Sequence, residues 1–207
     1  GGEPLGIKST ISVCVYCTTV FSHSQQGKRL KQAAKYVIVK EKGVFMNAKV
    51  IITAFENTSS EKLLKRLSNN FDKLFLLNNK EKSVAHLKQA ISKREYTHVI
   101  GIGQRPLIKN KLHIETTAKI QDEAVSTSLD AFLLYEIAQI CGLNAKISHN
   151  AGTSFCNNLY FHGLIETNGQ MLFLHIPFID NINSFDEFSS RLNITIEEFV
   201  NTPYKQA

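Results

Sequence analysis

No stretch of this chain stays apolar for the roughly 20 residues that a membrane-spanning helix needs, so the sequence offers no span. Cysteine is scarce, with four in 207 residues. Two of them, Cys14 and Cys17, form one tight pair. That pattern is not a disulfide scaffold, and a reducing, cytoplasmic setting fits better. A single CxxC with no second pair and no histidine at ligand spacing is weak ground for zinc or redox work. There is no internal repeat, no low-complexity tract and no sign of a second folded domain. A basic, aromatic-interleaved face of the nucleic-acid type is missing from the main body. The formal charge is +6, but residues 1–45 carry seven Lys or Arg against Glu3 and Glu41, a net of +5. That leaves +1 for residues 46–207. Nucleic-acid binding would therefore rest on the first 45 residues alone, and would vanish with them.

What is present is enough apolar residue, 43% of the chain, for one core of ordinary size. Residues 1–45 read differently from the rest. Ile11–Val20 has the composition of a strand, and Lys28–Tyr36 has modest helical promise within a basic, polar run. Met46 is followed at once by strand-like sequence and preceded by Lys42-Gly43-Val44, whose codons can spell a ribosome-binding sequence. The expectation is that Met46 is the native start. Residues 1–45 are then an upstream, tag-like or disordered basic extension, and 46–207 form a single α/β domain.

From Met46 on, strand and helix patterns alternate. Val50–Phe55 and Met171–Ile176 read as buried strands, and Lys73–Leu77 and Thr97–Gly103 as two further strands, the latter ending in glycines. Thr58-Ser59-Ser60-Glu61 is a capping box opening a helix through Leu67. Lys82–Ser92 is amphipathic. Leu112–Ile120 alternates like a more exposed, edge strand. Ser126 or Ser128 is expected to cap a helix closed by Gly142. Ser184 and Thr195 each head a further capping box, with Glu187 and Glu198 at the third position after them. Strands joined by crossover helices give a three-layer α/β/α sandwich on a mostly parallel central sheet with a more exposed edge strand. Phe185, Phe188 and Phe199 are read as cover for a second copy, which would make a homo-oligomer.

The chemistry concentrates in Ser148–Tyr160. Ala145-Lys146-Ile147 leads into a Gly-containing turn and then a helical pattern, which sets Cys156 near a helix N-terminus. A thiol there feels the positive end of the helix dipole, which favours the nucleophilic thiolate. The plainer alternative is a buried structural cysteine. A nucleophilic cysteine needs a base, and the base needs an orienting group. His175, closing a buried strand before Ile176-Pro177, is the candidate base, and Glu115 the candidate orienter. Their bland counterparts are a satisfied core histidine and a solvated carboxylate. In doubly wound sheets the chemistry gathers beyond the carboxyl ends of the strands, where Gln104, Cys156 and His175 are expected.

Ala151-Gly152-Thr153-Ser154-Phe155-Cys156-Asn157 together with Phe173-Leu174-His175-Ile176-Pro177-Phe178 resembles the Cys-type pyroglutamyl peptidases. Thr53-Ala54-Phe55-Glu56, the Gly101-Ile102-Gly103-Gln104 turn and Glu115 with Ala118 are similar to further motifs of that family. The resemblance runs from about Lys49 to Val200. It implies Cys156 as nucleophile, His175 as general base and then acid, and Glu115 as the group fixing the imidazole. It implies Gln104 near the lactam of a pyroglutamyl group, with Phe55 and Phe155 on the apolar side. The substrate would be a small peptide with a blocked N-terminus, and neither metal nor cofactor is needed.

The departures bear on specificity. Thr58 stands where the family has a second aromatic. Arg105-Pro106 replaces the usual Gly-Gly-Arg. Ala118-Lys119-Ile120-Gln121-Asp122 lacks the family's longer loop. Phe155 sits directly before the cysteine, where the family more often has its Phe one position earlier. An amidase of the same fold with altered acyl specificity, or a non-catalytic α/β binding protein on the same scaffold, are the alternatives.

Overall fold

The computed structural model describes residues 48–202, together with the backbone of 12–13 and 39–40. Those two pairs form a short antiparallel ladder, β1 (Ser12–Val13) with β2 (Val39–Lys40). The rest of the Ile11–Val20 strand, Cys14 and Cys17, the helix read over Lys28–Tyr36 and the start read at Met46 lie outside the described residues.

The remaining elements follow the expected alternation. They are β3 (Val50–Phe55), α1 (Ser59–Arg66), β4 (Asp72–Leu76), α2 (Lys80–Ser92) and β5 (His98–Gln104). Then come β6 (Leu112–Glu115), β7 (Thr117–Ile120), β8 (Glu123–Ser126), α3 (Ala131–Ile140) and β9 (Ala145–Ser148). The chain ends in α4 (Phe155–Glu166), β10 (Met171–Ile176), a 3-10 turn at Ile179–Asn181 and α5 (Phe185–Asn201). Six strands form one sheet in the order β4-β3-β5-β10-β6-β9. β4, β3, β5 and β10 run parallel; β6 is antiparallel to β10, and β9 is parallel to β6.

Two cores flank the sheet. Leu172, Leu174 and Ile176 of β10 point to one face, packed against Leu63 of α1, Leu134 of α3 and Leu192 of α5. Met171 and Phe173 point to the other, against Leu87 of α2 and Leu159 of α4. Every residue of β10 is buried, as a central strand covered on both sides must be. Each large apolar side chain so placed contributes about 1.5–3 kcal/mol relative to exposure. The architecture is therefore a three-layer α/β/α sandwich on a mostly parallel sheet.

Local signals set several helix ends. The Thr58 side chain accepts from the Glu61 N–H, and the Asn57 N–H donates to the Glu61 carboxylate. Ser184 Oγ accepts from the Glu187 N–H. Gly142, at φ 79°, follows the C-terminus of α3.

Other expectations are corrected. The strand read over Leu112–Ile120 is two strands, and β6 lies inside the sheet between β10 and β9. Its alternation is genuine, with Leu112 and Ile114 on the α1/α3/α5 side. The polar positions face the site rather than solvent, and Glu115 is fully buried. The edges are β4 and β9, and most of β4 is only half-buried. β7 leaves the sheet to pair with β8 in a separate hairpin. Asp130, not Ser126 or Ser128, caps α3, its side chain accepting from the Leu133 N–H at 2.8 Å. Thr195 caps nothing: it lies inside α5, its hydroxyl donating to the Arg191 carbonyl. Phe188 and Phe199 are buried in this chain's own core, with Phe185 packed against it, so they form no open patch.

Candidate active site

The site begins where β9 hands the chain to α4. Ser148 ends the strand, and the Asn150 side chain accepts from the Gly152 N–H at 2.9 Å in a tight turn. Gly152 has φ 84°, which a residue with a Cβ adopts only under strain. Ser154 is the N-cap of α4, so Phe155 and Cys156 are its first two helical residues. The backbone N–H groups of a helix's first turn have no carbonyl partner within the helix.

The Cys156 side chain packs down onto β5. Its Sγ lies 2.6 Å from the point where a Cβ on Gly103 would stand. The Phe173 ring lies 2.8 Å from the same point. Gly101 likewise has the Phe173 ring in its Cβ space. The run Gly101-Ile102-Gly103-Gln104 is therefore not a turn. It continues β5 to Gln104, and its glycines clear room for the sulfur and the ring. Gly103 is the register partner of His175 on β10, and the Phe173 and His175 rings are 5.1 Å apart. Sulfur, ring and imidazole thus share the α2/α4 side of the sheet.

His175 is buried, and its Nδ1 lies 2.9 Å from Glu115 Oε1. Burial raises the Glu115 pKa, but the hydrogen bond to His175, with Ser148 and the charge of Arg105, holds it below the ordinary 4.5. An ionised Glu115 accepts only, so Nδ1 carries the proton and Nε2 is the basic nitrogen.

The cysteine differs from what its helix position implied. Burial pushes the thiol from an ordinary 9.0 up to about 11, with the Glu115 charge adding to the rise. The Ser154 side chain and the Cys156 backbone N–H pull the other way but do not prevail. Desolvation outweighs the helix end here, which disfavours the thiolate.

Around this centre stand residues to which the sequence assigned no role. Arg105 Nη1 donates to Glu115 Oε1 and to the Asn150 carbonyl, each at 3.1 Å. The Tyr160 hydroxyl donates to the Glu115 backbone carbonyl at 2.9 Å. The Asn157 side chain accepts from the Lys119 N–H and donates to the Lys119 carbonyl, binding the β7–β8 hairpin to α4. His113 is the register partner of His175 on β6. Burial lowers its pKa, with the Glu115 charge opposing. Only Arg105 carried a signal in the sequence: a lone cation directly after a strand end.

The expected substrate residues are divided. Phe55 is buried and Phe155 exposed, their ring centroids 6.4 Å apart. Gln104 is engaged, its Oε1 accepting from the Ser59 N–H at 2.9 Å. Thr58 donates its hydroxyl to the Phe55 carbonyl at 2.6 Å. Among the described residues, no group of three or more His, Cys, Asp or Glu is placed to hold a metal ion. No helix among them is long and apolar enough to cross a membrane.

No protein-family profile and no curated protein matches the sequence. Solved structures do. Pyroglutamyl peptidase I from Bacillus amyloliquefaciens superposes with a TM-score of 0.66 at 23% identity, over 75% of this chain and 96% of that one. The fold is that of pyroglutamyl peptidase I. The pyrrolidone carboxyl peptidase of Thermococcus litoralis gives 0.63 at 19% identity, over 74% of this chain and 93% of that one. That of Fervidobacterium islandicum gives 0.64 at 18%, over 73% and 97%. This chain therefore spans nearly the whole pyroglutamyl peptidase fold.

Proposed function

We propose that this chain is a cysteine peptidase that hydrolyses the amide bond after an N-terminal pyroglutamyl residue. The observation that carries the reading is the buried His175–Glu115 pair at 2.9 Å, on the same side of the sheet as the Cys156 sulfur over Gly103. The likeness in fold supports it.

With the thiol protonated at rest, His175 Nε2 takes its proton as the sulfur attacks the pyroglutamyl carbonyl. The N–H groups at the start of α4, that of Cys156 among them, stabilise the oxyanion of the tetrahedral intermediate. The imidazolium, held by Glu115, then gives its proton to the leaving amine, and the C–N bond breaks to leave a thioester. Water enters, loses a proton to His175 and attacks the thioester carbonyl. Free pyroglutamate departs, and the proton returns to sulfur. Phe55 and Phe155 supply apolar walls for the ring, and Gln104 presents its amide N–H₂ toward the acyl group, its oxygen being held by Ser59. No step needs a metal or cofactor. A thiol enzyme of this kind suits a reducing compartment such as the cytoplasm.

One observation favours a second specificity. Thr58 is tied to backbone as the cap of α1 and brings no aromatic surface. The acyl pocket is walled by fewer rings, which suits an amidase of the same mechanism acting on another acyl group.

The test is hydrolysis of a pyroglutamyl fluorogenic amide under reducing conditions, with Cys156→Ala beside it. Turnover lost in C156A supports the reading, and turnover that survives it removes the mechanism. Stoichiometric iodoacetamide labelling of Cys156 without turnover points to the altered acyl specificity.

A further inference from the structure

We infer that Arg105 is a positioning residue, which ties the cysteine loop to the buried Glu115 carboxylate and governs how much of that carboxylate's charge reaches His175. The inference rests on the Cys156–His175–Glu115 reading and deepens it.

One guanidinium nitrogen makes both contacts. Arg105 Nη1 lies 3.1 Å from Glu115 Oε1 and 3.1 Å from the Asn150 carbonyl. Asn150 in turn forms the turn at Gly152 that precedes α4. Arg105 is itself anchored, its backbone N–H donating to the Ile176 carbonyl, next to His175, at 2.9 Å. The oxygen it engages is the one that His175 Nδ1 engages at 2.9 Å. Glu115 is fully buried, whereas the Arg105 side chain is 32% exposed. A buried carboxylate sharing one oxygen between a permanent cation and an imidazole gives the imidazolium less support than it would give alone.

Among the described residues, the charged and titratable groups that act on His175 or on its partner Glu115 are His113 on β6, Arg105 after β5, and Cys156 and Tyr160 on α4. Lys146 on β9 acts on His113. Of these, Arg105 is the fixed cation that touches the orienting carboxylate. The first proton lost from Cys156 and His175 belongs to the pair, not to either group. A neighbouring cation favours that loss. Removing Arg105 therefore retains the proton to higher pH, whichever of the two groups releases it.

The experiment follows the iodoacetamide labelling rate of Cys156 against pH, site by site by mass spectrometry, in the full chain and in R105Q, R105M, R105K and H175N. The acid limb moves upward in R105Q and R105M by about half a unit to one unit, less than a fully buried charge would produce. It stays in place in R105K, which keeps a cation but not the planar fork, while the plateau rate of R105K falls. A limb unmoved in both R105Q and R105M overturns the inference, whether or not their plateau rates fall. So does a limb that moves as far in R105K. H175N that labels with the native profile overturns the Cys–His reading, and this inference with it. R105M preserves the packing of the side-chain stem, so the comparison stands if R105Q does not fold.

Discussion

The sulfur of Cys156 occupies the space that a side chain at position 103 would fill, 2.6 Å from the Cβ that Gly103 lacks. The contact ties the start of α4 to the strand that lies beside His175 in register. Gly103→Ala must therefore displace the sulfur, the Phe173 ring or both. The expected result is a loss of stability of about 1–3 kcal/mol, typical of overpacking. Cys156 labelling should slow by on the order of 10²-fold, because a misplaced nucleophile loses its geometry. Denaturant unfolding and labelling rates measure the two separately. A variant that labels at the native rate would show that the sulfur is not confined by β5.

Glu115→Gln tests the orienting role proposed for this carboxylate. The amide leaves no anion to hold Nδ1–H or the imidazolium, and turnover or labelling should fall by on the order of 10²- to 10⁴-fold. The pH dependence of stability follows from the depressed pKa. A carboxylate held below its ordinary 4.5 contributes stability that is present above that value and lost as the pH falls through its folded value. The native melting temperature should drop as the pH is lowered below about 4.5, and E115Q should flatten that part of the curve. Thermal melts between neutral and acid pH check it.

His175→Asn isolates the thiol. With burial holding Cys156 at about 11, labelling of H175N should keep climbing with pH toward that value. The native protein, with a base to take the proton, should label faster than H175N at neutral pH. The raised pKa also favours the folded state below the ordinary 9.0 and ceases to do so as the pH rises through about 11. C156A should therefore lose less stability than the native protein in alkaline melts.

Asn157→Ala tests the clamp on the β7–β8 hairpin. The side chain makes two hydrogen bonds to the Lys119 backbone, at 3.0 and 2.7 Å. Deleting it leaves both groups to find water and should cost about 1–3 kcal/mol. Hydrogen exchange at the Lys119 N–H should lose its protection, while β10 keeps its own. Unchanged exchange at Lys119 would show that the hairpin is held by β8 alone.

By itself, the sequence determined the elements and their local ends. The capping boxes at Thr58 and Ser184, the C′ glycine at 142 and the all-buried β10 act within a few residues of chain, where pattern and propensity decide. It also nominated Cys156, His175 and Glu115, because a thiol at a helix start and a polar residue closing a buried strand are rare enough to stand out. Tertiary structure decided the rest. β6 reads as an exposed edge because His113 and Glu115 alternate with Leu112 and Ile114, yet it is interior, its polar face turned to the site. Strand order and direction depend on which distant faces bury each other, and no local window holds that information. Thr195 looks like a cap but lies mid-helix, because α5 packs its whole length on the core. The raised thiol pKa and the Arg105 bridge are of the same kind. They follow from desolvation and charge supplied by α4, β5, β6 and the β9–α4 loop together, and only folding brings those segments within reach of one another.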